Sequence, residues 1–226
     1  MIVIMDRLLV IGNAMTAELL HAYLEQDHRY EIVAFAVDQE YIKTETFHGL
    51  PLVDLARVSE MYPPSQCKIL LGTGYGNLNR NREGLFSRAK SMGYSIETYI
   101  HPDARIYSTD IGEGSIIMAN TLVDVYANIG ANSVVWSGAS VCHHTSIGSN
   151  CWMATGSVVS AEANVGDNSF IGVNATVVNQ VSMGTHNFIG AGAFIAKNTP
   201  DYAVYVSRQT EKFRLSSEEY LRFAEI

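Results

Sequence analysis

An apolar residue falls on every sixth position from Ile111 to Ile195 without a miss, running Ile111, Ile117, Val123, Ile129, Val135, Val141, Ile147, Met153, Val159, Val165, Ile171, Val177, Met183, Ile189 and Ile195. Four positions further into each hexad lies a second register of nearly always small residues, from Ser115 through Ala127, Ala139, Cys151 and Ala163 to Ala193 and Thr199. Gly112, Gly130, Gly148, Gly166 and Gly184 add a third period of eighteen. A period of six fits neither the helical repeat of 3.6 nor the strand repeat of 2. It predicts a β-helix, in which each short repeat stacks on its neighbours. Three hexads make one turn of a three-sided prism, so the fifteen hexads predict about five coils. The apolar residue points inward, and the small one packs beside it where a larger side chain would overfill the interior. The periodic glycine is expected at a corner that needs a positive φ or a close backbone approach. No hexad is interrupted, so no loop is expected to protrude from the prism.

Residues 7–100 lack the hexad and alternate strand and helix patterns instead. Strands are predicted at Arg7–Gly12, Tyr30–Asp38, Ile69–Gly72 and Ile96–Ile100, with a further extended segment at Met1–Asp6. Helices are predicted at Met15–Leu24, with Leu19, Leu20, Tyr23 and Leu24 on one face, and at Asn79–Met92. The alternation implies a small parallel, Rossmann-like α/β sheet. Ligands of such sheets sit at the carboxyl ends of the strands. That rule gathers Gly12, Asn13, Asp38, Gly72 and Gly74 around one crevice. Gly12-Asn13-Ala14-Met15-Thr16-Ala17 carries one glycine where a dinucleotide fingerprint has three, and no Gly-Lys-Ser/Thr is present. NAD and P-loop chemistry are therefore not expected, and a sugar or nucleotide-sugar ligand suits the crevice better; the alternative is a degenerate α/β domain that only packs against its neighbour. His101-Pro102-Asp103 reads as the hinge between halves, since proline disfavours helix at the residue before it. The expected division is an α/β domain at 1–102, a β-helix at 103–200 and a tail at 201–226.

The 226 residues carry a formal charge of −8 with no basic stripe, which argues against nucleic acid. No apolar run approaches the ~20 residues of a membrane span, and the start lacks the basic flank of a signal peptide. Cys67, Cys142 and Cys151 are sparse and odd in number, which fits a reducing cytoplasm without a disulfide framework. Cys151 occupies the small register and reads as a packing residue.

One hexad stands apart: Val141-Cys142-His143-His144-Thr145-Ser146. His143 and His144 hold its third and fourth positions, which are corner positions facing outward. Histidine titrates near neutrality and is the commonest general base. A base of this kind works without a protein nucleophile beside it, so Cys142 is not required. Spacing alone leaves open an exposed corner pair with no chemistry. Adjacent side chains in a strand diverge and no third ligand is evident, so no metal site is expected.

Ile147-Gly148-Ser149-Asn150-Cys151 and Ile189-Gly190-Ala191-Gly192-Ala193 resemble the Ile-Gly-x-x-small-x repeat of the left-handed β-helix acyltransferases. Residues 7–200 as a whole resemble the sugar acyltransferases that join a small α/β domain to such a helix. These include sialic acid O-acetyltransferases and nucleotide-4-amino-sugar N-acetyltransferases. The resemblance implies an acetyl-CoA-dependent enzyme of surface-glycan synthesis, acting on the amino group of a nucleotide-linked sugar. Alternatives are O-acetylation of a sialic acid and a non-catalytic β-helix trimer. It implies a homotrimer with acetyl-CoA between prisms, contacted at Trp152, Val173 and Ala191, with the Ala161 backbone N–H facing the thioester oxygen. Trp152 also suits trimer packing.

His143 aligns with the family's catalytic base. His144 stands where the family usually has a carboxylate, so the partner that raises the basicity of the ring is missing. The family's sugar-nucleotide contacts fall on the Gly12 loop, whose pattern is largely lost, while Asp38 and Gly72 remain. Lys197, Arg208, Lys212 and Arg214 form a basic cluster suited to CoA phosphates or to a solvated face. Ser216–Phe223 is expected to be a short capped helix that closes the open end of the coil.

Overall fold

The computed structural model describes residues 5–224; most of the segment expected at Met1–Asp6 lies outside them. The first strand, β1 (Asp6–Ile11), begins a five-stranded sheet with β2 (Tyr30–Val37), β3 (Thr46–Phe47), β4 (Leu50–Asp54) and β5 (Lys68–Leu71). The order is β3-β4-β2-β1-β5, parallel throughout except for the β3–β4 hairpin at one edge. Leu8 to Ile11 form an unbroken apolar run because both faces of a parallel sheet are covered. Leu8 and Val10 pack with Ala17, Leu20 and Leu24 of α1 (Met15–Leu24). Leu9 and Ile11 pack on the other side with Val58 of α2 (Val58–Met61) and Ala89 of α3 (Arg80–Ser91). The β3–β4 hairpin and α2 carry no periodicity long enough to read, and sequence analysis missed them.

The second body is a left-handed parallel β-helix of two-residue strands. Its first face stacks seven strands from Tyr99–Ile100 to Val204–Tyr205, the second six from Arg105–Ile106 to Phe194–Ile195, and the third four from Asn128–Ile129 to Ser182–Met183. The ladders thus run beyond the hexads. Tyr99–Ile100 pair with Ile116–Ile117, while Ile96 bridges to Ile69 in the α/β sheet. The strand expected over Ile96–Ile100 therefore splits between the two bodies. His101-Pro102-Asp103 is no hinge: the His101 N–H donates to Ile117 O and the Asp103 carbonyl accepts from the Asn120 N–H, which locks the tract into the first coil.

The apolar register fills the prism, and the small register is buried along its whole length. Serine and threonine fit there because most of their hydroxyls, such as those of Ser115, Thr121, Ser133, Thr145 and Ser169, bond to a backbone carbonyl; Ser157 Oγ does not. Ser133 Oγ donates to Gly148 O at 2.8 Å and accepts from the Cys151 N–H at 3.0 Å. Every sixth residue from Gly114 to Gly192 is left-handed, and the fourth position of each hexad is the turn itself. Glycine and asparagine recur there, as that conformation favours. The eighteen-residue glycines do a different job and have no positive φ. A Cβ on Gly130 would lie 2.5 Å from Ser149 N in the next coil, so they permit close stacking. Gly84, inside α3, meets nothing within 4 Å of such a Cβ. Gly84→Ala is expected to raise stability by ~0.5–1 kcal/mol in urea unfolding of the unliganded protein, through helix propensity and a less entropic unfolded chain. A loss of stability would show that this helix face has no spare room.

The two bodies meet across the first face. Tyr75, on the loop after β5, packs its ring on Trp152 and Phe170, at 5.3 and 4.6 Å between centroids. Arg82 of α3 is buried at the junction. The C-terminal helix α4 (Ser217–Phe223) forms where expected, with a full Ser216–Glu219 capping box. It buries no residue, so it does not close the coil. The outermost backbone of the first face is covered by Val204–Tyr205 pairing with Phe188–Ile189.

Candidate active site

His143 and His144 emerge together from the edge between the second and third faces, both exposed. The peptide between them is fixed from both neighbouring coils: the His144 N–H donates to Val125 O, and His143 O accepts from the Glu162 N–H. His144 is left-handed, with φ 57°. That turn swings the two rings together, with Nδ1 to Nδ1 at 3.1 Å and the planes near perpendicular. The divergence expected of strand neighbours does not occur, because the pair sits on a corner. Among the described residues, no group of three His, Cys, Asp or Glu side chains gathers in a way that would hold a metal ion. Burial, then Asp124, pushes the Cys142 thiol above its ordinary value, which disfavours a thiolate beside the pair.

One coil after His143, Ala161 shares the same edge. Among the described residues its N–H has no protein acceptor, while its carbonyl accepts from the Gln180 N–H. Val173 and Ala191 lie on a different edge, between the first and second faces, and stack one coil apart through the Gly192 N–H to Val173 O bond. Both are exposed. One prism therefore brings His143, His144 and Ala161 together and sets Val173 and Ala191 a full face away. Trp152 belongs to neither edge. It is 5% exposed, wedged between Trp136 and Tyr75 beneath the α/β body, so its side chain reaches neither a groove nor another prism. Trp152 is a packing residue between the two bodies. Lys197, Arg208, Lys212 and Arg214 are all exposed.

The crevice of the α/β body is a cavity of about 750 Å³. Gly12, Asn13, Asp38, Gly72 and Gly74 all line it. Gly12 has φ 132°, and a Cβ there would lie 2.5 Å from Gly72 O, so these glycines let the ends of β1 and β5 approach. Asn13 Nδ2 donates to Tyr41 O at 3.0 Å. Ala14 gives α1 no side-chain cap, and its unpaired first-turn N–H groups suit an anion. Sequence reading missed the opposite wall, formed by Arg80, Asn81, Gly84 and Arg88 of α3, where Arg88 Nη1 pairs with Asp38 Oδ1. Arg80, Gly84 and Arg88 fall at i, i+4 and i+8 on one helix face, and that spacing was the available signal.

A protein-family model for the hexapeptide repeat of succinyl-transferase matches residues 163–197. No curated protein matches the sequence. Among solved structures, the acetyltransferase domain of PglB from Neisseria gonorrhoeae in complex with acetyl coenzyme A is 25% identical, with TM-score 0.80 and 88% of this chain and 95% of that chain covered. A perosamine N-acetyltransferase variant from Caulobacter crescentus, in complex with CoA and GDP-perosamine, is 26% identical, with TM-score 0.79 and coverage of 88% and 92%. WeeI from Acinetobacter baumannii shares the fold at 20% identity, with TM-score 0.79 and coverage of 89% and 97%. With its unbroken hexads, its matched repeat and its two-body architecture, the chain is a hexapeptide-repeat protein built like the sugar acetyltransferases.

Proposed function

We propose that the protein is an acetyl-CoA-dependent N-acetyltransferase that acts on the amino group of a nucleotide-linked amino sugar in surface-glycan synthesis. The observation that carries this reading is the exposed histidine pair held at one prism edge, on a scaffold shared with enzymes captured with CoA and GDP-perosamine. An amine attacking a thioester carbonyl must shed a proton. His143 Nε2 accepts it directly, in a ternary complex without an acyl-enzyme. The Ala161 N–H, which has no acceptor among the described residues, donates to the oxyanion as charge develops. The CoA thiolate leaves and takes up a proton.

The α/β crevice holds the nucleotide, with Gly12, Asn13, Asp38 and Gly72 at the carboxyl ends of the strands. The start of α1 and Arg80 face the phosphates, and the Asp38–Arg88 pair supplies polar anchors. Val173 and Ala191 line the pantetheine path. Because their edge and the His143 edge are separated by a whole face, a complete site takes one edge from each of two prisms in a cytoplasmic homotrimer. A thioester-release assay across UDP-, GDP- and dTDP-linked amino sugars and free sialic acid tests the reading. Release with a nucleotide amino sugar is expected. Release with sialic acid alone would transfer the assignment to O-acetylation, and a monomeric mass in solution would remove the shared site.

A further inference from the structure

We infer that His144 is the positioning residue that replaces the missing carboxylate: its Nδ1 accepts the Nδ1–H of His143 and so fixes the His143 tautomer that leaves Nε2 free as the base. The inference rests on the acetyltransferase reading for its catalytic meaning, but the tautomer itself is a property of the resting protein. Two imidazole nitrogens 3.1 Å apart are bonded only if one of them carries hydrogen. If His144 donated, His143 would bear its hydrogen on Nε2 and could not accept a proton there. A working base therefore requires His143 as donor and His144 as acceptor, the arrangement by which a carboxylate orients other catalytic histidines.

The surroundings hold His144 in that role. Its left-handed backbone is a conformation in which histidine is enriched. Coils on either side fix its peptide, and the Tyr126 ring, one coil earlier, lies over the imidazole at 4.7 Å. Tyr126 is exposed and contributes nothing to the prism core, so the contact serves the ring it covers. The neighbouring ionisable groups are engaged elsewhere. Asp124 Oδ1 accepts from the Val125 N–H, and the Glu162 carboxylate accepts from Gln180 Nε2. Cys142 stays a thiol. Among the described residues, only His144 meets His143 Nδ1.

A carboxylate takes up a proton only in acid, whereas an imidazole acceptor does so near neutral pH. A proton on either ring then silences the pair, because a charged His144 would turn donor. His144→Ala is expected to lower kcat at least ~10-fold with KM for both substrates within about twofold. His144→Asn, whose Oδ1 accepts and whose backbone tolerates the turn, should recover much of that loss. His144→Asp should move the acid limb of the kcat profile to higher pH, because a fixed negative charge favours the protonated ring. Independently of turnover, ¹⁵N spectra of histidine-labelled protein should show His143 protonated on Nδ1 in the wild type. That preference should be lost in His144→Ala, with the His143 signal identified from His143→Asn. A wild-type His143 protonated on Nε2, or a His144→Ala enzyme within twofold in kcat, would overturn the inference. Absence of acetyl transfer in the wild type, with the Nδ1–H tautomer present, would instead count against the acetyltransferase reading.

Discussion

His143→Ala should lower kcat by ~10²-fold or more, the usual span for loss of a general base. The ring is exposed and takes no part in the prism core, so folding should be unchanged within ~0.5 kcal/mol. KM should move little, because the proton is transferred only as the transition state forms. The pH dependence gives a second signature. The wild type should reach a plateau once the base is neutral. In the variant the substrate must deprotonate itself, so the rate should keep rising with pH as free amine accumulates. A variant within about twofold of wild type in kcat, or one with an unaltered profile, would remove His143 from the mechanism. Cys142→Ser in parallel should keep most of the activity, since direct attack needs no thiol.

The sequence made the prism legible because its repeat is strict. A hexad that sends Ile147, Met153 and Val159 inward at fixed intervals admits one packing, and the small register follows from the space left over. The left-handed fourth position was also written in the residues, as Gly114, Asn120, Asn132, Gly138 and Asn150. It passed unread beside the louder glycine period, whose cause is close stacking. The first coil was not legible, because Tyr99–Ile100 and Arg105–Ile106 belong to the ladders without matching the hexad. Residues around the crevice could be placed from the rule for parallel sheets, which needs only the strand ends. The histidine pair could be placed on a corner, but its geometry could not be derived. Whether two neighbouring rings meet depends on one backbone angle at His144. Trp152 was misread for the opposite reason: spacing puts it on a face, and only the docked α/β body decides that this face is covered.

Arg82→Met should destabilise the protein by at least about 3 kcal/mol, counting three or four buried carbonyls left short of a donor at ~1–3 kcal/mol each. Arg82 is 1% exposed and has no carboxylate partner among the described residues. Burial pulls its pKa down to about 9, so the guanidinium stays charged at neutral pH, satisfied by backbone alone. Nη1 donates to Leu71 O at 2.7 Å and to Thr73 O at 3.4 Å, at the strand end that opens the crevice. Nε donates to Asn132 O at 3.1 Å, and Nη2 to Gly114 O at 3.1 Å, both on one edge of the prism. One side chain thus ties the end of β5 to two successive coils. Methionine keeps the stem's packing and removes every donor, so the loss reports the hydrogen bonds and not a cavity. For a chain of this size the melting midpoint should fall by roughly 6–12 °C. If the two bodies are held together mainly here, unfolding should also split into two transitions, the α/β body first, because the prism has its own continuous core. Affinity for a nucleotide ligand should drop as well, since Thr73 lines the crevice that Arg82 braces. A single transition at the wild-type midpoint would show that the remaining contacts suffice to hold the two bodies together, among them Tyr75 on Trp152 and Phe170, Asn168 with Glu83, and Lys90 with Glu113.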